Sequence, residues 1–325
     1  MVELCETIHG CWSLIEKRVL SESVPILYHY PMSPYSEKLR LTMGLLKMRW
    51  MSSQVAAYPP REALVALVGG YRRIPVLQIG AHIYCDTRLA FAALTGNESD
   101  CLRLIDRDEA LRQWAEQEVF FAVIAAASPY RAVRLLTREL GLGGLMRFTR
   151  DRIAMTRGAT IVQPDGNTAR AILSSFVSHL AERLQGDACL SGPEIGYLDL
   201  CCFHPLWMAC RIDSRIKATW PLAVQNWFEA IQSLGHGEVV PATPEAITDA
   251  IDQEAGLFAG DIEPPFLEAE WVTMRPTDYA RDESCGVLVL LDKRRAVLKR
   301  ELPDGGVVYL HFPRSGFEIT NRAAA

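Results

Sequence analysis

Residues 26–40, Ile26-Leu27-Tyr28-His29-Tyr30-Pro31-Met32-Ser33-Pro34-Tyr35-Ser36-Glu37-Lys38-Leu39-Arg40, decide how the chain is read. Ile26 to Tyr30 is a compact apolar run ended by Pro31, the mark of a strand. From Glu37 to Met48 the residues Leu39, Met43 and Leu46 recur at helical spacing, with Lys38, Arg40 and Lys47 expected on the surface. A strand that runs into a helix N-terminus leaves unsatisfied N–H groups and the positive end of the helix dipole facing outward. Such a place suits a thiolate or another small anion. Ser33 stands there. Its hydroxyl can donate a hydrogen bond to the sulfur of an external thiol and so lower that thiol's pKa.

Two further stretches belong with the first. In Arg73-Ile74-Pro75-Val76-Leu77 a proline enters a strand, where it normally takes an edge or irregular position. A cis Ile74–Pro75 bond there would turn the Ile74 backbone outward to pair with an extended peptide ligand. Strands over 74–79 and 82–84 flank the turn at Gly80-Ala81, and Asp86-Thr87 then opens a helix through Leu94, with Gly96 past its end. Plain N-capping accounts for Asp86 and Thr87; a functional reading gives their hydroxyl and N–H groups to a carboxylate and Asp86 to an amine. The order strand, helix, helical segment, strand, strand, helix within 25–96 supplies an α/β layer able to cover one sheet.

Ser33-Pro34-Tyr35-Ser36 resembles the Cys-Pro-Tyr-Cys motif of glutaredoxins with both cysteines replaced by serine. Disulfide exchange needs a protein thiolate, which serine cannot supply. Taken in order, Ser33, Ile74-Pro75 and Asp86-Thr87 resemble the N-terminal domain of the glutathione transferase superfamily, in its serine-type, zeta-like or omega-like form. The resemblance covers 25–96 well and 106–236 more loosely. It implies a thioredoxin-like domain followed by an all-helical domain, with glutathione as co-substrate and a homodimer as assembly. By it Ser33 activates the thiol, with Ser36 as runner-up. Ile74 pairs with the cysteinyl backbone beside cis-Pro75 and next to Arg73, and Asp86 with Thr87 holds the γ-glutamyl end. Thr87 departs from the family's usual serine. Tyr28 and Tyr30 are secondary candidates, because some classes use a first-strand tyrosine.

From 106 to 236 the pattern is nearly all helical. Asp108 to Ala127 turns wholly apolar in its second half, which should be buried. Tyr197 to Arg211 should be the central helix, kinked or ended by Pro205. Ser191 to Asp199 resembles the family's capping box with Gly196 in place of the hydroxyl N-cap. The period changes to two after Pro264. Strands at 287–291, 296–300 and 307–312, with turns at 292–295 and 303–306, make a small antiparallel β unit over 264–322, expected to pack on the helical part. Asp278-Tyr279 and His311 to Gly316 resemble extensions of some long transferase-like proteins. A cover over the electrophile pocket, a dimer contact and a structural addition are all open to it, the last being the simplest. Linkers are expected at 235–244 and 260–265, and 1–24 reads as an N-terminal extension.

Composition limits the partners. With 325 residues, net charge −5 and 22% charged side chains, the chain has no basic footprint for nucleic acid. No apolar run approaches the roughly 20 residues of a membrane helix. The first twenty residues show no secretory pattern, and nine cysteines without a C-x-x-C read as reduced cytoplasmic thiols. Cys201, Cys202, His204 and Cys210 are read as buried side chains and not as a metal site. The seven arginines between Arg131 and Arg157 read as a solvated face, with an electrophile site for anionic substrates as the alternative. The function expected is a glutathione-dependent transferase acting on a small hydrophobic or anionic electrophile. The alternative is a non-catalytic ligand carrier or interaction module on the same fold.

Overall fold

β1 (Ile26–His29) is buried along its whole length and pairs with β2 (Arg49–Gln54) in parallel and with β3 (Val76–Ile79) antiparallel. The computed structural model describes residues 23–96, 106–160, 163–252, 258–303 and 305–321; the expected N-terminal extension lies almost entirely outside them. Between β1 and β2 runs α1 (Pro34–Leu45), and β2 leads through α2 (Glu62–Val68) to β3, β4 (His82–Tyr84) and α3 (Thr87–Thr95). The stretch read as wholly helical between the first helix and the second strand therefore contains β2. Helix α1 starts three residues earlier than its apolar periodicity suggests, because Pro34 takes the first helical position, where its missing N–H costs nothing.

Helix α4 (Asp106–Gln113) continues through one π-helical turn (Trp114–Val119) into α5 (Phe120–Ala126). The apolar second half is only partly buried: Ala122 and Val123 are enclosed while Ile124 is exposed. Next come α6 (Pro129–Met155), broken at Gly141 by a φ of 70°, and α7 (Gly166–Arg183). The central α8 (Tyr197–Ile212) runs unbroken through Pro205. Proline removes the N–H that would reach the carbonyl of Cys201, and the His204 ring nitrogen Nδ1 binds that carbonyl at 2.8 Å instead. Gly196 supplies no side-chain cap, but Asp199 accepts from the Gly196 N–H at 3.1 Å and also from Leu190, Ser191 and Trp227. α9 (Leu222–Gln232) completes the bundle.

The C-terminal strands do not pack on the helices as expected. They continue the first sheet. β9 (Val307–Pro313) pairs parallel with β4, placing His82 opposite Tyr309 and Tyr84 opposite His311. β8 (Arg295–Glu301), β7 (Ser284–Leu291), β6 (Trp271–Pro276) and β10 (Phe317–Asn321) follow outward, all antiparallel. At the other end β5 (Glu238–Pro241) adds to β2 in parallel. The result is one ten-stranded sheet. Neither expected linker is a plain connection. Residues 238–241 form that edge strand and lead to α10 (Pro244–Asp252), while Gly260 and Glu263 donate to carbonyls of β7. A free β4 edge would expose unpaired backbone groups, and β9 covers it. Gly70 makes the closest backbone approach in this region: a Cβ there would meet the Glu283 carbonyl oxygen at 2.1 Å.

Candidate functional site

Ser33 is the N-cap of α1, with extended backbone (φ −74°, ψ 116°), and its hydroxyl oxygen accepts the Ser36 N–H at 3.2 Å. That bond uses an acceptor lone pair and leaves the hydroxyl proton free. Ser33 borders a cavity of about 390 Å³ together with Tyr30, Tyr35 and Ile74. Ser36 does not border it, and its buried hydroxyl has no partner among the described residues. Tyr28 is excluded as well, since its hydroxyl donates to Gln78 Oε1 at 2.6 Å inside the sheet.

The Ile74–Pro75 bond is cis. The ladder between β1 and β3 begins at Val76 opposite Tyr28, so the Ile74 main chain lies outside it. Asp86 and Thr87 are placed differently. The Asp86 carboxylate accepts the Arg88 N–H at 2.8 Å as the cap of α3, and the Thr87 hydroxyl lies 3.4 Å from that of Tyr197. Neither residue borders the cavity that Ser33 shares with Ile74. Arg73 borders it; its Nη2 donates to the Asp278 carboxylate and the Tyr279 carbonyl, its Nε has no partner among the described residues, and the Tyr279 ring lies 4.2 Å away.

The opposite wall is apolar and comes from the helices, with Phe120 and Phe121 of α5, Leu136 and Phe148 of α6, and Met208 of α8. The partial exposure of α5 thus serves the cavity. Arg61, Arg72 and Arg152 stand at the cavity edge. Arg72 and Arg152 share Asp151. Arg61 donates to the carbonyls of Ala56 and Arg72 at 2.7 and 2.8 Å and has no carboxylate partner among the described residues. Burial, and then the positive charge of Arg152 and Arg72, lowers its pKa.

Residues 27–97 match the family model described as the glutathione S-transferase N-terminal domain. The first domain has the fold of a glutathione S-transferase N-terminal domain. Among solved structures, a GST-like protein from Pseudomonas syringae is 25% identical at a TM-score of 0.71, over 92% of this chain and all of that one. A match of that extent reaches all three parts of the chain, the C-terminal strands included. The glutathione transferase fold, extended by a β-rich C-terminal region, is therefore the fold of this protein. FzlA from C. crescentus (17% identity, 65% of this chain and 88% of that chain, TM-score 0.44) and a glutathione S-transferase from Pseudomonas fluorescens (17%, 65% and 96%, 0.40) also match. No curated protein matches the chain.

Within the glutathione transferase fold, two domains are tied together by charges that the sequence reading placed on the surface. Lys38 is 1% exposed and pairs with Glu116 of the π-helical turn, which Arg112 also contacts. Burial pushes the Glu116 carboxyl up, yet Lys38 and Arg112 outweigh it and hold it well below the usual carboxylate range. The Tyr35 hydroxyl donates to the Glu116 carbonyl at 2.7 Å, and Cys201 donates to its carboxylate at 3.4 Å. Arg40 is likewise buried, bound twice to Glu37 and also to the carbonyls of Tyr30 and Pro31. This clamp fixes the chain just before Ser33. The sequence reading missed Tyr35, Arg61, Arg72 and Phe148 as cavity residues. Arg152 carried a signal as one of the seven arginines, and Tyr279 as part of the extension.

Proposed function

We propose that the protein is a glutathione-dependent transferase that binds glutathione with its sulfur at Ser33 and delivers it to a small electrophile in the apolar part of the cavity. One observation carries this reading. A hydroxyl with a free proton, at the N-terminus of a buried helix, shares a cavity wall with a main chain that no strand has claimed. The Ser33 O–H and the dipole of α1 would stabilise a thiolate. The Ile74 main chain would pair with the cysteinyl unit, and Arg61 supplies a cation for a carboxylate. Arg73 holds the C-terminal segment in this reading, while Asp86 and Thr87 would reach the γ-glutamyl end only from beyond the cavity wall. Proximity of the two substrates supplies the rest of the rate.

A carrier without catalysis is the second reading, and the engagement of Arg73 by Asp278 favours it. Calorimetric titration with glutathione, combined with thiolate absorbance near pH 7 in wild type and Ser33→Ala, separates the two. Binding with a thiolate signal that Ser33→Ala removes supports the enzyme. Binding without that signal supports the carrier, and no binding refutes the enzyme. Self-association, which the resemblance implies, fits the apolar side chains of Leu142, Met146 and Ile153 that α6 leaves exposed; sedimentation velocity measures it.

A further inference from the structure

The connection between β6 and β7 enters the cavity from outside both transferase domains. It is pinned on two sides. From the loop before Pro75, the Arg73 guanidinium holds the Asp278 carboxylate and the Tyr279 carbonyl. From the helical domain, the Thr160 N–H donates to the Asp278 carbonyl at 2.9 Å, and the Met155 carbonyl accepts the Ala280 N–H at 3.1 Å. Between these anchors stands Tyr279. Its ring lies over the Arg73 guanidinium at 4.2 Å and meets the Phe121 ring edge-on at 5.7 Å. It borders the same cavity as Ser33 and Ile74. Its hydroxyl makes no hydrogen bond to any described residue. Burial raises the phenol's pKa, so it remains a donor at neutral pH. A phenolic O–H whose ring is held between Arg73 and Phe121, at the meeting of the polar and apolar walls and with no bond to a described residue, is a donor available to what enters the cavity.

We infer that Tyr279 contacts the second substrate and favours electrophiles whose reacting group ends in an oxygen acceptor, such as α,β-unsaturated ketones, over alkyl halides. The inference rests on the reading of Ser33 given above. In the addition, the sulfur lone pair forms the new C–S bond at the β-carbon, the alkene π pair shifts between the α-carbon and the carbonyl carbon, and the carbonyl π pair moves to the oxygen. Tyr279 donates a hydrogen bond to that oxygen as its negative charge develops. The resulting enolate takes a proton from water at the α-carbon, which balances the proton lost when the thiol ionised. Displacement on an alkyl halide expels halide and creates no oxyanion, so the phenol has nothing to stabilise there.

The test compares wild type and Tyr279→Phe with glutathione and either 4-phenyl-3-buten-2-one or benzyl chloride. The Phe variant keeps the ring packing on Arg73 and Phe121, and its thermal midpoint checks the fold. The expected result is a tenfold or larger fall in kcat for the enone with KM little changed, less than a twofold change for benzyl chloride, and unaltered calorimetric affinity for glutathione. Equal losses on both electrophiles, or no loss on the enone, overturn the inference while leaving the role of Ser33 intact. A wild type that binds no glutathione takes down both.

Discussion

The Ser36 N–H donates to the Ser33 hydroxyl oxygen across 3.2 Å, inside the first turn of α1. The bond occupies a lone pair and not the proton of the Ser33 hydroxyl, and Ser33 borders the cavity whereas Ser36 does not. Ser33→Ala should lower the thiolate fraction of bound glutathione, and with it kcat/KM, by about 10- to 100-fold, the worth of one hydrogen bond to a charged group at ~1.5–3 kcal/mol. Losing the cap should also cost about 1 kcal/mol of stability. Ser36→Ala removes a buried hydroxyl that lies off the cavity and has no partner among the described residues, so thiolate absorbance should be unchanged. A thiolate signal that follows Ser36 and ignores Ser33 would reverse the assignment.

Lys38→Met should destabilise the fold by about 3 kcal/mol, since it leaves the Glu116 carboxylate buried with one cation where it had two. Urea unfolding measures this. A loss within 0.5 kcal/mol, about the size of an ordinary surface substitution, would show that Arg112 alone suffices.

Asp278→Asn should loosen the connection between β6 and β7 while sparing the sheet centre. The pair with Arg73 is about a quarter exposed on the Asp278 side, so the stability change should be small, about 1 kcal/mol. Hydrogen exchange should rise across residues 277–283 and stay constant in β1 and β3. Uniform protection in both segments would mean that the main-chain bonds to Thr160 and Met155 hold the connection by themselves.

Stability should fall with acid in a window set by buried histidines. His82 Nδ1 lies 2.8 Å from His311 Nε2 where β4 meets β9. Burial first, and the charge of Arg295 second, lowers the His82 pKa from 6.5 to about 4. Burial and the neighbouring His82 lower that of His311 as well. The unfolded chain therefore binds more protons between these values, and stability that is fully present above pH 6.5 is lost as pH falls toward 4. For His82 alone the loss by pH 5 is on the order of 2 kcal/mol. Urea midpoints at pH 7, 6 and 5 check it, and His82→Gln should flatten the curve. A midpoint that is flat across the window would show that the pair is not held neutral.

Much of the site was legible because its parts are local. Asp86 announces itself as a helix cap, and Ser33 stands where a strand runs into a helix; both cap their helices. The Ile74-Pro75 pair sits where the strand begins, and the Asp292 turn closes through its own Arg294 and Arg295 N–H groups. The reading failed at Lys38 and Arg40, since a charged residue on a helix looks the same in sequence whether water or a carboxylate faces it. Pro205 misled in another way: a neighbouring imidazole took the carbonyl that the missing N–H left open.

Periodicity, caps and turns act within a few residues, so the sequence by itself determined most helices, the strands β1, β3, β4, β7, β8 and β9, the place of Ser33 and the order of the first domain, while β2, β5, β6 and β10 left no such local mark. Only the tertiary structure decided that β9 would cover β4, that Glu116 would neutralise Lys38, and that Tyr279 would border the cavity of Ser33. Those contacts join residues dozens to hundreds of positions apart. Their stability comes from satisfying an exposed strand edge or a buried charge, and either need can be met by many distant partners that leave no local trace.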